Sequence, residues 1–410
     1  MRYSKLYPLL REKYSIEYDS LIIDELDLKI SNHEFKSDIT GLYPEGDEYS
    51  DLNPLVKALM KYYLSQNEFS DRYLLKMLSV PDSEVEENNR FQYSILSDSR
   101  VEKSSSAIIL LHGLNERGWE KYLTWAYSLL KKTGKPVILF PNAFHMNRAP
   151  KCWSNFRLMN EISNERKNLL PGVVLSSPVN AAISTRLQFV PQRFVYSGIQ
   201  TIRDIIALAG DIRDGQISGL HKGTTVDFFG YSIGAFIAQI IMMSNPLGVF
   251  NSSRCVLFCG GTTLNKMAPV NKYILDSEAA NTIQDFYVHK LEQNLLVDER
   301  LRSLFGSESE EAFLFKAMLG HDENLPVRKR YLAKIRDRIF AMGLAKDSVI
   351  PAGSIRDALI SDHPKKIRFE LINPGYNYTH ENPFPLLLKT ENEVEQEFEQ
   401  IFSKAANFLS

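Results

Sequence analysis

The stretch Thr225-Val226-Asp227-Phe228-Phe229-Gly230-Tyr231-Ser232-Ile233-Gly234-Ala235-Phe236-Ile237-Ala238 decides the fold. Its first five residues are rich in β-branched and aromatic types and read as a short strand. From Ala235 to Met243 the run reads as a buried helix that stops at Asn245-Pro246. Between them, Gly230-Tyr231-Ser232-Ile233-Gly234 matches Gly-x-Ser-x-Gly, the nucleophile-elbow pattern, and strand, tight turn and helix is the context that pattern requires. So sharp a turn strains the serine backbone, and Gly230 and Gly234 remove the Cβ atoms that would clash. The hydroxyl is then presented beside a helix N-terminus whose free N–H groups can stabilise an oxyanion.

Outward from the elbow the chain alternates. Ala107–Leu111, Val137–Phe140 and Cys255–Cys259 are continuous apolar runs, the mark of strands buried on both faces. Helical patterns at Trp119–Lys132 and from Tyr196 separate them, and strand patterns return at Ile339–Met342 and Ile367–Ile372. Val394, Phe398, Ile401, Phe402 and Ala405 define a closing amphipathic helix. Phe91, Tyr93 and Ile95 alternate with polar residues, as in an antiparallel strand. The pattern predicts an α/β fold with a mostly parallel, doubly wound sheet.

Two blocks interrupt the alternation. Residues 142–194 hold His145, Arg148, Trp153 and Phe156 with little periodicity and read as a long functional loop. Residues 262–334 read as mainly helical and are expected to form a lid or cap over the site. Residues 1–90 form an N-terminal extension of unknown role, with a half-exposed strand at Leu26, Leu28 and Ile30 and a helix starting at Pro54. The domain expected to carry the chemistry spans residues 91–410.

Composition narrows the function. A net charge of −2 over 410 residues, with no basic stripe, gives no support for nucleic-acid binding. Three cysteines are too few for a disulfide framework. No apolar run reaches membrane-spanning length, and the first residues lack a secretory signal, so a cytoplasmic protein without a membrane span is expected. Phosphate-cradling, dinucleotide and zinc-protease motifs are absent, and the expected chemistry calls for neither cofactor nor metal.

A serine hydroxyl needs a base, and the base needs an orienting carboxylate. Asp347 follows the strand pattern at 339–342, at the edge where Ser232 emerges; the alternative is a cap for the helix starting near Ala352. His380 follows the last strand through the turn-rich Asn373-Pro374-Gly375-Tyr376-Asn377-Tyr378-Thr379; the alternative is a surface histidine. His363 precedes its strand, at the wrong end of the sheet. For the oxyanion the candidate donors are the N–H groups of Ile233 and Leu114, with Asn115 second to Leu114. His112 is expected to shape its turn. Tyr231, Trp153, Phe286 and Phe313 are candidate walls of a substrate pocket.

His112-Gly113, Gly230-x-Ser232-x-Gly234, the Asp347 segment and His380, in that order, make residues 91–410 resemble the α/β-hydrolase superfamily. The resemblance implies an eight-stranded, mostly parallel sheet with an inserted lid. The serine makes the chain similar to the esterases, lipases, serine peptidases and acyltransferases of that superfamily. Dehalogenases of the superfamily have Asp at that position and dienelactone hydrolases have Cys. The expected function is a serine hydrolase cleaving an ester, thioester or amide of a small-molecule or acyl substrate. The rival readings are an acyltransferase with the same triad and a non-catalytic binding protein on this scaffold.

Overall fold

A computed structural model describes residues 1–44, 73–360 and 365–410. The helix expected from Pro54 and the position of His363 lie outside the described residues. Nine strands form one mixed sheet: β1 (Ser20–Ile23), β2 (Leu28–Lys36), β3 (Arg90–Asp98), β4 (Ser104–Leu111), β5 (Val137–Leu139), β6 (Leu220–Tyr231), β7 (Cys255–Phe258), β8 (Ile339–Leu344) and β9 (Arg368–Ile372). Their spatial order is β1-β2-β3-β5-β4-β6-β7-β8-β9. The pairs β1–β2, β2–β3 and β3–β5 are antiparallel, and every pair from β5 to β9 is parallel.

Alternate residues of the central strands face opposite layers, which explains their unbroken apolar runs. Ile109, Leu111, Phe228 and Leu257 face a core covered by the helices Arg193–Asp214 and Ile233–Ser244. Ile108, Leu110, Phe229, Val256 and Phe258 face the other core, under the helices Tyr3–Lys13, Glu120–Thr133 and Glu391–Leu409. A helix, sheet and helix sandwich follows, because each face must be covered.

The N-terminal region departs from expectation. The boundary near residue 90 does not divide the sheet, since β2 pairs with β3 along its whole length and β1 extends that edge. Among the described residues the sheet thus has nine strands rather than eight. The helix Tyr3–Lys13 packs on Glu120–Thr133 and on Glu391–Leu409, where Tyr3 stacks on Phe398 at 4.5 Å between ring centroids.

The block at 142–194 is also more ordered than its sequence suggested, with helices at Phe156–Leu169 and Ala181–Phe189. Its ties to the block at 262–334 include a buried ion pair. Arg166 donates to Asp276 Oδ2 from Nε at 2.8 Å and from Nη2 at 2.6 Å, both side chains fully buried. Asp276 Oδ1 caps the helix Ser277–Gln284 through Ala279 N at 3.0 Å. Among the described residues, no helix is long and apolar enough to cross a membrane.

Candidate active site

β4 lies between β5 and β6, so the chain turns one way after β4 and the other way after β5. Loops at such a switch point part and leave a crevice at the carboxyl edge of the sheet. The loops after β4 and β6 stand side by side there, with Leu111 in register with Gly230. Close approach is secured by missing side chains. A Cβ on Gly234 would lie 2.4 Å from Leu111 O, and one on Gly230 would lie 2.6 Å from Ala235 Cα. One on Gly260, at the end of β7, would lie 2.5 Å from Ser232 O.

Ser232 sits in this turn at φ 57° and ψ −120°, a conformation that side-chain-bearing residues rarely adopt. Its N–H donates to Phe258 O at 3.1 Å, which anchors the turn to the neighbouring strand. The helix Ile233–Ser244 starts at the next residue. Among the described residues no acceptor takes the N–H of Ile233 or that of Leu114.

The structure brings Ser232, Asp347 and His380 together, at 6%, 5% and 4% exposure. His380 Nδ1 lies 2.7 Å from Asp347 Oδ2, and His380 Nε2 lies 2.7 Å from Ser232 Oγ. A carboxylate only accepts, so Nδ1 carries the proton and Nε2 is free to accept from the serine hydroxyl. Asp347 Oδ1 takes the N–H groups of Val349 and Ile350 at 2.9 Å each. These bonds lock the turn after β8; the helix starting at Ala352 has Pro351, not Asp347, at its cap.

His380 must reach back across β8 and β7, and its loop is held by bonds the sequence did not announce. Tyr231 OH donates to His380 O, and the two rings stack at 5.5 Å and 18°. Lys121 Nζ donates to Glu381 O at 2.9 Å and pairs with Glu116. Tyr122 OH donates to Glu116 Oε1 and accepts from Gly113 N, each at 2.9 Å. One short network therefore links the loop carrying Leu114 to the loop carrying His380. Gly113, Glu116, Lys121 and Tyr122 lie within ten residues of one another, and no local signal marks the one long step, from Lys121 to Glu381 O 260 positions away.

His112 is consumed in shaping its turn. Nδ1 donates to Gly113 O at 2.8 Å and Nε2 accepts from Asn142 N at 2.9 Å. Burial, then the neighbouring His145, holds its pKa well below the usual imidazole range. Asn115, at φ 61°, is a tether: its side-chain amide donates to Val179 O at 3.0 Å and to Tyr273 O at 2.7 Å, one in each inserted block.

None of the four candidate pocket residues lines the cavity that Leu114 and Ile233 border. Leu114 and Ile233 line a cavity of about 50 Å³ with Asn142, Phe144, His145 and Phe315 among its other walls. Phe313 is 37% exposed and Phe315 takes the inward position, because the helix Glu310–Ala317 turns the two apart. Phe286 packs on Tyr287 at 4.8 Å and is not in this wall. Trp153 stacks on Phe144 at 6.5 Å and is likewise outside it. Tyr231 lies behind the histidine, in the core with Trp125 and Phe258. A larger groove of about 600 Å³ runs between the N-terminal helix and residues 385–394, with none of these site residues in its walls.

Strand order and pairing directions define the scaffold as of the α/β-hydrolase type, with one further antiparallel strand at its edge. The chain belongs to the family described as "Family of unknown function (DUF6051)", whose model matches residues 1–410. No curated protein matches it. Among solved structures, carboxyl esterase 2 from the mycorrhizal fungus Tuber melanosporum is 11% identical over 78% of this chain and 82% of that one, with a TM-score of 0.41. A thermostable esterase from Pseudomonas putida is 11% identical over 78% of this chain and 80% of that one, with a TM-score of 0.42. Prolyl oligopeptidase B from Galerina marginata is 11% identical over 95% of this chain but only 38% of that one, with a TM-score of 0.43. Likenesses this distant say nothing of substrate, and the scaffold rests on the sheet itself.

Proposed function

We propose that this protein is a serine hydrolase that cleaves an ester, thioester or amide through an acyl-enzyme. The observation that carries the reading is the line from Ser232 Oγ to His380 Nε2 and from His380 Nδ1 to Asp347 Oδ2, each step 2.7 Å. Ser232 Oγ attacks the carbonyl carbon as His380 Nε2 takes its proton. The tetrahedral oxyanion is held by the N–H groups of Ile233 and Leu114. The intermediate collapses, the imidazolium protonates the leaving group, and the acyl group stays on Ser232. Water, deprotonated by His380, then releases the acid and restores the serine. Asp347 keeps the imidazole in the tautomer whose Nε2 lone pair faces Ser232. The reaction uses no metal or cofactor.

The blocks at 142–194 and 262–334 are the cover of this site in our reading, and the Asn115 bonds to Val179 and Tyr273 support it. A fluorophosphonate probe should label the wild type at Ser232, and p-nitrophenyl esters of short acids should be turned over. Ser232→Ala should do neither. A wild type that is neither labelled nor active would reject the hydrolase reading.

A further inference from the structure

The groove of about 600 Å³ beside the N-terminal helix takes no part in the chemistry proposed above, and none of Ser232, Asp347 and His380 lines it. One wall is the helix Tyr3–Lys13, through Lys5, Pro8 and Arg11; the other is Pro385–Leu388 with Glu391 and Val394. Leu386, Leu387 and Leu388 follow one another at 45%, 56% and 94% exposure. Single exposed leucines are ordinary, but three in succession on the rim of an apolar groove mark a surface made to be covered. Their turn holds them outward. Leu387 N donates to Pro385 O at 3.1 Å and Thr390 N to Leu387 O at 3.0 Å. The turn is anchored through the buried Phe384, whose carbonyl accepts from Tyr3 OH at 3.0 Å.

We infer that a second copy of this chain covers the groove, through a two-fold interface centred on Leu388. Shape is the first argument. The patch holds both a projecting side chain, Leu388, and a hollow beside it, so it can pair with itself, as an isologous contact requires. Charge is the second. The stretch Arg2–Lys13 carries four basic residues and one acidic, whereas Leu386–Glu397 carries four acidic residues and one basic. Glu395 is spent on the Tyr3 N–H at 2.7 Å. Among the described residues, Lys5, Arg11, Lys13, Glu391 and Glu393 make no ion pair within the chain. A two-fold axis through the leucines sets each basic wall against the acidic wall of the other copy, around an apolar centre, which is the anatomy of a specific interface. A partner of one charge sign would be repelled by one wall, and an anionic lipid surface would meet Glu391 and Glu393 as like charges.

Sedimentation velocity of four proteins tests this: wild type, Leu388→Glu, and two charge-reversed variants. Lys5→Glu with Arg11→Glu makes both walls acidic; Glu391→Lys with Glu393→Lys makes both basic. Wild type should sediment as a dimer, and Leu388→Glu should raise the dimer Kd by about 30-fold or more, as loss of a central anchor does. Each charge-reversed variant should be weakened by itself. An equimolar mixture of the two should restore the dimer, because the two-fold contact then sets altered wall against altered wall and native against native. Circular dichroism checks that each variant is folded; should Leu388→Glu misfold, the mixing experiment decides alone. A wild type that stays monomeric up to about 100 μM would overturn the inference. So would a dimer indifferent to Leu388→Glu, or a mixture that stays monomeric. A monomeric wild type that binds phosphatidylcholine vesicles and loses them on Leu388→Glu would give the surface to lipid, and overturn it too.

Discussion

His380 Nδ1 lies 2.7 Å from Asp347 Oδ2 although the two are 33 positions apart and leave adjacent strands, β8 and β9. The contact depends on two loops, one locked by the backbone N–H groups of Val349 and Ile350, the other by Tyr231 and Lys121. Asp347→Asn keeps an acceptor for those N–H groups and presents its amide to the imidazole, which favours the wrong tautomer. Ester turnover should fall on the order of ten-thousand-fold with little change in melting temperature. A variant with most of its activity would make Asp347 a turn residue only.

Ser232 stores backbone strain at φ 57°. Strain of this kind costs about 1–3 kcal/mol, and glycine relieves it at an entropic cost of about 0.5–1 kcal/mol. Ser232→Gly should therefore abolish activity while raising unfolding free energy by about 0.5–2 kcal/mol. Ser232→Ala, inactive too, keeps the strain and should stay near the wild type. Urea denaturation of the three proteins reads the difference; a less stable glycine variant would mean that the turn is unstrained.

Asn115 combines a left-handed backbone with its two carbonyl bonds to Val179 and Tyr273. Asn115→Gly preserves the backbone and deletes the tether. Amide exchange around residues 175–180 and 270–275 should quicken by about 10-fold or more, the worth of one or two hydrogen bonds. Unchanged exchange at both segments would show that other contacts hold the cover.

Acid should destabilise the protein partly through two imidazoles. Burial lowers the pKa of His145 to about 3 and that of His112 in the same direction. An unfolded histidine titrates near about 6.5, so the unfolded chain binds more protons below that pH. The stability that the neutral His145 ring contributes is complete above about 6.5 and is lost as pH falls toward about 3, by up to about 1.4 kcal/mol per pH unit, and His112 acts in the same direction. Urea unfolding between pH 7 and pH 4 should show a slope that His145→Leu reduces by one proton's worth. An equal slope in the variant would place the acid sensitivity elsewhere.

The sequence by itself determined the elbow and the sheet around it. Gly230-Tyr231-Ser232-Ile233-Gly234 is local geometry, and β-branched and apolar runs such as Ile108 to Leu111 record burial on both faces. Asp347 and His380 were readable as strand-end residues, since chain order alone puts the ends of parallel strands on one edge.

Tertiary structure decided the rest. The helix Ala181–Phe189 has no amphipathic period because it is buried at every position but Gln188, so its sequence reads as a loop. β1 and β2 joined the sheet through pairing with β3, a contact between segments more than fifty residues apart that no local pattern encodes. Phe315 is buried and Phe313 exposed because neighbouring helical residues face different ways, and only packing fixes which faces in. That Nε2 of His145 has no partner among the described residues is likewise a fact of three dimensions: which polar atoms find partners depends on which chains meet, and sequence lists the atoms without their neighbours.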